Sequence, residues 1–223
     1  MRYDLIFMDI DNTLLDFDAG TRESLEKLLG RFGITLTEQL LRRFLEINDG
    51  IWRKYERGEI EKAQIFSTRF GIYLGELGIT CDPLEANEWY AQGLRESAVP
   101  IPHSMELLQA LKGRCRMFGV TNGVVTTQTP RLAKSGLREY FEEVFISEQM
   151  GCKKPEKEFF DKVFAAIGQV DKSRCILLGD SLSSDMQGGR NAGIATCYYG
   201  KPTDDPRCDY VIGDLLEFLD IVE

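Results

Sequence analysis

Apolar and polar positions change their spacing twice along the chain, and the changes divide it into three stretches. The first holds a short continuous apolar run, Leu5-Ile6-Phe7-Met8, which ends in a carboxylate. Such a run predicts a strand over 4–9 buried on both faces, as in the interior of a parallel sheet. From residue 17 to residue 97 the spacing becomes helical. Leu25, Leu28, Leu29 and Phe32 fall at i, i+3, i+4 and i+7, and Gly33 follows as a stop. Leu40, Leu41, Phe44 and Leu45 mark a second helix behind Thr37; Ile65, Phe66, Phe70, Tyr73, Leu74 and Leu77 mark a third, closed by Gly78. Asp82-Pro83-Leu84-Glu85 reads as a cap, a first-turn proline and a capping-box glutamate, opening a helix that carries Trp89, Tyr90 and Leu94.

After Pro100 and Pro102 short apolar runs alternate with helical patterns. Strands are predicted over 116–120, 144–147, 175–178, 194–199 and 210–212. Helices are predicted behind a Ser104 cap through Leu111, over 126–137 with Pro130 in the first turn, from Lys154 to Ile167, over 183–192 and over 215–222. Alternating strand and helix implies an α/β fold with a parallel sheet and right-handed crossovers. The pure-helix stretch then reads as a separate unit inserted after the first strand, giving a core of 1–16 with 98–223 and a helical domain of 17–97.

The ends of the strands carry the candidate chemistry. The first strand runs into Asp9 and Asp11, another into Thr121 and Asn122, and a later one into Asp180, with Asp185 five residues on. Lys154 stands between them at the predicted start of a helix. In a parallel sheet the carboxyl ends share one edge, where ligands gather, so these residues converge although distant in sequence. If the backbone stays extended, Asp9 and Asp11 point the same way, and two such charges require a cation or a shared proton. The set offers a carboxylate nucleophile, an acid/base, hydroxyl and amide donors, a cation, and oxygen ligands for a hard metal such as Mg²⁺. That inventory suits phosphoryl transfer, where positioning and charge neutralisation dominate.

Composition narrows the class. A net charge of −9 argues against nucleic-acid or anionic-membrane surfaces, which need basic patches. Six cysteines without a C-x-x-C pair read as small core hydrophobes, and the single histidine, His103, reads as a loop residue. With no signal pattern and no membrane-length apolar stretch, the expected location is cytoplasmic.

Four segments in this order, Asp9-Ile10-Asp11-Asn12-Thr13, Val120-Thr121-Asn122-Gly123, Lys154-Pro155-Glu156 and Gly179-Asp180 through Asp185, resemble the motifs of the haloacid dehalogenase-like hydrolases. The resemblance implies a Rossmann-like three-layer core with an inserted helical cap of the first subgroup. Ile51 to Gly58, Ile146 to Gly151 and Gly188 to Cys197 further resemble the YjjG-type pyrimidine 5′-nucleotidases. By that likeness Asp9 is the nucleophile that forms an aspartyl-phosphate, and Asp11 protonates the leaving oxygen and then activates water. Mg²⁺ sits on the carboxylates of Asp9 and Asp180 and the backbone carbonyl of Asp11, with Asp185 assisting directly or through water. Thr121 and the backbone at Asn122 grip phosphoryl oxygens, and Lys154 neutralises charge. The implied partner is a small phosphorylated metabolite, a nucleoside monophosphate first, handled by a monomer or homodimer. Asn12 departs from the family, where glycine is common.

Each residue also has an ordinary reading. Thr121-Asn122 can be a turn, Lys153 rivals Lys154, and the Gly188–Gly193 glycines suit close packing better than a phosphate loop. Trp52, Tyr55, Trp89 and Tyr90 can stack on a base, but aromatics at helical spacing are more often core. A phosphosugar phosphatase, a β-phosphoglucomutase-like phosphomutase and a non-catalytic binding or regulatory protein remain alternatives.

Overall fold

A computed structural model describes all residues, Met1–Glu223. The chain divides into two compact units, Met1–Asp16 with Val99–Glu223, and Phe17–Ala98.

The first unit is built on six parallel strands, β1 (Leu5–Met8), β2 (Arg116–Thr121), β3 (Glu143–Ile146), β4 (Cys175–Gly179), β5 (Ala195–Tyr199) and β6 (Tyr210–Ile212), in the order β3-β2-β1-β4-β5-β6. Its first strand lies centrally, between β2 and β4, and every residue of it is buried. Ile6 and Met8 join one apolar cluster with Leu107, Leu132 and Phe218, whereas Leu5 and Phe7 join another with Phe159, Phe160 and Val163. Two buried faces explain why this segment reads as a continuous apolar run rather than an alternating one. In register, Met8 lies beside Gly119 and Leu178, so the chain leaves β1, β2 and β4 at one height.

The second unit holds four helices, α1 (Phe17–Gly30), α2 (Glu38–Glu56), α3 (Lys62–Glu76) and α4 (Pro83–Glu96). Thr37 and Asp82 cap α2 and α4 by accepting from the backbone N–H of Leu40 and Leu84. The apolar stripes seen in the sequence meet in one core, with Phe44 packed on Phe70, Tyr73 and Tyr90 at centroid distances of 5.4, 5.2 and 5.2 Å. Tyr55 and Tyr90 are buried there, and the Tyr90 hydroxyl pairs with Thr21 at 2.8 Å, which marks these two rings as core. Trp52 and Trp89 are half-buried; Trp89 lies under the Arg31 guanidinium, 4.4 Å from the ring centre. At Gly93 a side chain would meet Ser24 at 2.6–2.8 Å, so α1 and α4 cross in near backbone contact.

The first unit carries α5 (Ser104–Leu111), α6 (Val125–Ser135), α7 (Ser147–Met150), α8 (Lys157–Ile167), α9 (Gln187–Ala192) and α10 (Glu217–Val222). Several helix starts differ from expectation. Ser104 is the first residue of α5, and His103, in the left-handed region at φ 66°, precedes it while pairing with Asp214. Pro130 lies in the interior of α6, beyond the first turn, at the cost of one helical hydrogen bond. Lys154-Pro155 does not open α8, which begins at Lys157; the lysine stays outside the helix because its backbone is bonded elsewhere. The 183–192 helix is two pieces, a wide turn over Leu182–Met186 and then α9. Gly189 sits so close to Thr196 that a side chain would approach it to 2.4 Å, the close packing the glycine pair suggests.

Candidate active site

Asp9 follows β1 without a break, its N–H donating to the Leu178 carbonyl at 2.9 Å. The chain then turns sharply. Leu14 and Leu15 both donate to the Ile10 carbonyl, and Asn12 takes φ 58°. Asparagine tolerates that left-handed conformation better than most residues, so Asn12 suits the turn.

Asp9 and Asp11 lie near enough for the Asp11 charge to act on the Asp9 carboxyl. Their carboxylates have different partners. Asp9 Oδ1 accepts from Lys154 Nζ at 2.6 Å, and Thr13 Oγ1 lies 3.3 Å from Asp9 Oδ2. The Asp11 carboxylate is held by α6 instead. Gln128 Nε2 donates to Asp11 Oδ2 at 2.6 Å, and the Arg131 guanidinium pairs with Asp11 Oδ1.

Lys154 is 1% exposed. Its ammonium donates to Asp9 Oδ1 at 2.6 Å, Asp185 Oδ1 at 2.7 Å and the Val120 carbonyl at 2.8 Å, which uses all three hydrogens. Lys153, the rival, pairs with Glu156 instead, at 2.8 Å. The choice is made by Asn122, whose side chain clamps the Lys154 peptide. Its Nδ2 donates to the Lys154 carbonyl at 2.8 Å, and its Oδ1 accepts from the Lys154 N–H at 2.9 Å. A contact from Asn122 Nδ2 to Ser184 Oγ at 3.2 Å ties the clamp to the turn after β4. Thr121, at the end of β2, is buried and accepts from Gly123 N–H at 3.0 Å and Gln128 Nε2 at 2.9 Å.

Past β4, Asp180 and Asp185 complete a cluster with Asp9 in which one oxygen from each lies within 4.8 Å of the others. Asp185 is fully buried and also accepts from the Ser181 N–H at 3.1 Å. Gly179 makes room for it: a side chain there would come within 2.3 Å of the Asp185 carboxylate. The Asp11 carboxylate is not part of this cluster. Thr13, fully buried, lies between Asp9 and Asp180, its Oγ1 3.4 Å from Asp180 Oδ1.

The electrostatics follow from one cation among several carboxylates. Burial pushes the Asp9 carboxyl up to about 7; Lys154 opposes the shift and the Asp185 charge adds to it. Burial, together with the Asp9 and Asp185 charges, holds Asp180 well above the usual carboxylate range. Burial alone would lower the Lys154 ammonium, but Asp185 and Asp9 outweigh it and keep the group above its ordinary value. The pocket is therefore short of positive charge. Its donor set consists of oxygens only, the set preferred by a small hard cation.

Gln128 and Arg131 are absent from the sequence-based site. Their signal was available: two polar residues at i and i+3 on a helix that starts just after Thr121-Asn122-Gly123. A polar pair on a helix is ordinarily read as its solvent face, yet both residues are 1% exposed.

The family model of the haloacid dehalogenase-like hydrolases matches residues 3–193. The chain is 35% identical over 198 residues to the pyrimidine 5′-nucleotidase YjjG of Escherichia coli, covering 89% of this chain and 86% of that one. It is also 35% identical over 200 residues to the pyrimidine 5′-nucleotidase PynA of Streptococcus pneumoniae, covering 89% and 84%. A crystal structure of the HAD-hydrolase YfnB from Bacillus subtilis, bound to magnesium, superposes with a TM-score of 0.94 at 34% identity and covers both chains in full. No helix of this chain is long and apolar enough to cross a membrane. With its motifs assembled at one sheet edge and its length matched throughout, this chain belongs to the haloacid dehalogenase-like hydrolases.

Proposed function

We propose that the chain is a magnesium-dependent phosphomonoesterase working through an aspartyl-phosphate on Asp9, and that its substrates are pyrimidine nucleoside 5′-monophosphates. The observation that carries the reading is the buried Asp9–Lys154 pair beside Asp180 and Asp185, with a separate carboxylate, Asp11, two residues on. Asp9, Asp180 and Asp185 would hold Mg²⁺, with the Asp11 carbonyl as the further ligand implied by family likeness. The oxygen-only donor set and its excess negative charge fit that ion. When bound, Mg²⁺ supplies charge neutralisation for the phosphoryl oxygens and for the crowded carboxylates.

The chain's own residues do the rest. An Asp9 oxygen attacks phosphorus, the bond from phosphorus to the ester oxygen breaks, and Asp11 gives that oxygen its proton. Asp11 then takes a proton from water. The resulting hydroxide attacks phosphorus, and the bond to Asp9 breaks to release inorganic phosphate. Lys154 keeps Asp9 oriented and offsets its charge as the phosphoryl group arrives. Thr121 and the backbone at Asn122 bind phosphoryl oxygens. The nucleotide preference rests on the 35% identity to two pyrimidine 5′-nucleotidases. A cytoplasmic location accords with the same likeness.

The test is phosphate release from a panel of nucleoside monophosphates and sugar phosphates with Mg²⁺. Release led by the pyrimidine nucleotides, and its loss in a folded Asp9→Asn variant, is the expected result. Conversion of one ester into another without net phosphate release would instead identify a mutase. Undiminished turnover by Asp9→Asn would end the aspartyl-phosphate reading.

A further inference from the structure

Helix α6 contributes two buried polar side chains that no motif accounts for, and both reach the reacting groups. Gln128 Nε2 has two hydrogens, and both are used: one on Asp11 Oδ2 at 2.6 Å and one on Thr121 Oγ1 at 2.9 Å. Its Oε1 accepts from the Arg131 guanidinium at 3.0 Å, and the same guanidinium nitrogen pairs with Asp11 Oδ1. The amide can face only one way. Reversed, it would set its oxygen against the Asp11 carboxylate and its N–H₂ against the guanidinium.

From this arrangement we infer that Gln128 and Arg131 are positioning residues. Arg131 fixes the polarity of Gln128, and the pair fixes both the rotamer of Asp11 and the direction of the Thr121 O–H. A threonine hydroxyl has one hydrogen and two lone pairs. Gly123 N–H and Gln128 Nε2 fill both lone pairs of Thr121. The remaining capacity is donation, the role needed toward a phosphoryl oxygen. Gly123 is part of the device: a side chain there would come within 2.7 Å of Gln128. Bonds to both Asp11 oxygens likewise remove the freedom of its carboxylate to swing away from the ester oxygen. This deepens the phosphomonoesterase reading and rests on it.

The distinguishing measurement is kcat/KM for two esters that differ in their need for a proton. An alkyl monoester, such as a nucleoside 5′-monophosphate, must have its leaving oxygen protonated; p-nitrophenyl phosphate need not. With Arg131→Met and Gln128→Met, the alkyl ester should lose about 100-fold in kcat/KM, a typical size for misplaced acid–base catalysis. The p-nitrophenyl ester should lose at least 10-fold less. Arg131→Lys, which keeps the charge, should recover part of the alkyl-ester rate. If Arg131→Met does not fold, Gln128→Met decides, because it leaves the Arg131–Asp11 ion pair in place. Equal losses on both esters overturn the positioning of Asp11 and leave the pair only its hold on Thr121; no loss on either ester overturns both roles, and each outcome leaves the phosphatase reading intact. A wild-type protein that releases phosphate from neither ester overturns both.

Discussion

At the scale of residues, the site depends on which groups are allowed to keep their charge. Lys154 shows this most clearly, since its ammonium is enclosed by Asp9, Asp185 and the Val120 carbonyl. Removing one partner of a buried ion pair costs about 3–5 kcal/mol, because the other charge is left uncompensated. Lys154→Met should therefore lower the free energy of urea unfolding by about that much and abolish phosphate release. Lys154→Arg should recover little activity, because a planar guanidinium cannot reproduce three donors from a single atom in that space. Wild-type turnover in either variant would remove Lys154 from the chemistry. This residue was legible in the sequence only as a choice between two neighbours, and a side-chain clamp from Asn122 makes that choice. Asp11 was legible as a candidate carboxylate, but its partners were not. Extended geometry predicts that it faces the crevice shared with Asp9; that Gln128 and Arg131 of α6 hold it there is a tertiary fact that no local pattern carries.

Elements were easier to read than their ends. Long apolar stripes such as those of α2 and α4 survive because burial of one face decides the helix, and their start signals at Thr37 and Asp82 act through local bonds. Ser104 and Lys154-Pro155 misled for different reasons: Ser104 is the buried first residue of α5, one position after the left-handed His103, and the Lys154 peptide is bonded to Asn122. The tightest crossing in the helical unit was not legible at all. Nothing about Gly93 in the sequence announces that it lies against Ser24. Gly93→Ala gains about 1 kcal/mol of helix propensity but forces α1 and α4 apart at a cost of about 1–3 kcal/mol. A net loss of stability is expected from thermal unfolding of Gly93→Ala, deepening with Gly93→Val. Ser24→Gly should relieve part of it, since two of the three nearest atoms vanish with that side chain. A more stable Gly93→Ala would mean that the crossing is looser than drawn.

At the scale of the whole molecule, the sheet order places β1 between β2 and β4, so the residues that follow three adjacent strands meet at one edge. That convergence follows from parallel topology and was legible from the alternation of strand and helix. The oxygen cluster it creates should make stability depend on a divalent ion. Magnesium at 100 times its dissociation constant stabilises a folded protein by about 2.7 kcal/mol, or about 5–10 °C for a chain of this size. Calorimetry with and without a chelator should show that rise in wild type, and Asp180→Asn should remove most of it. A melting temperature indifferent to magnesium in the wild type would separate the carboxylates from metal binding.

The two places where the chain leaves and rejoins the sheet-bearing unit are themselves stitched together. The Asp16 N–H donates to the Val99 carbonyl at 2.8 Å, the Ile101 N–H to the Leu14 carbonyl at 2.9 Å, and Leu15 pairs with Pro100. Everything from Phe17 to Ala98 thus hangs from a closed stalk. The penalty for closing a loop grows only slowly with its length, so lengthening or replacing what hangs there leaves the sheet and the strand ends undisturbed. The strand-end chemistry and the helical insertion become separately heritable: ancestry can rewrite one without renegotiating the other.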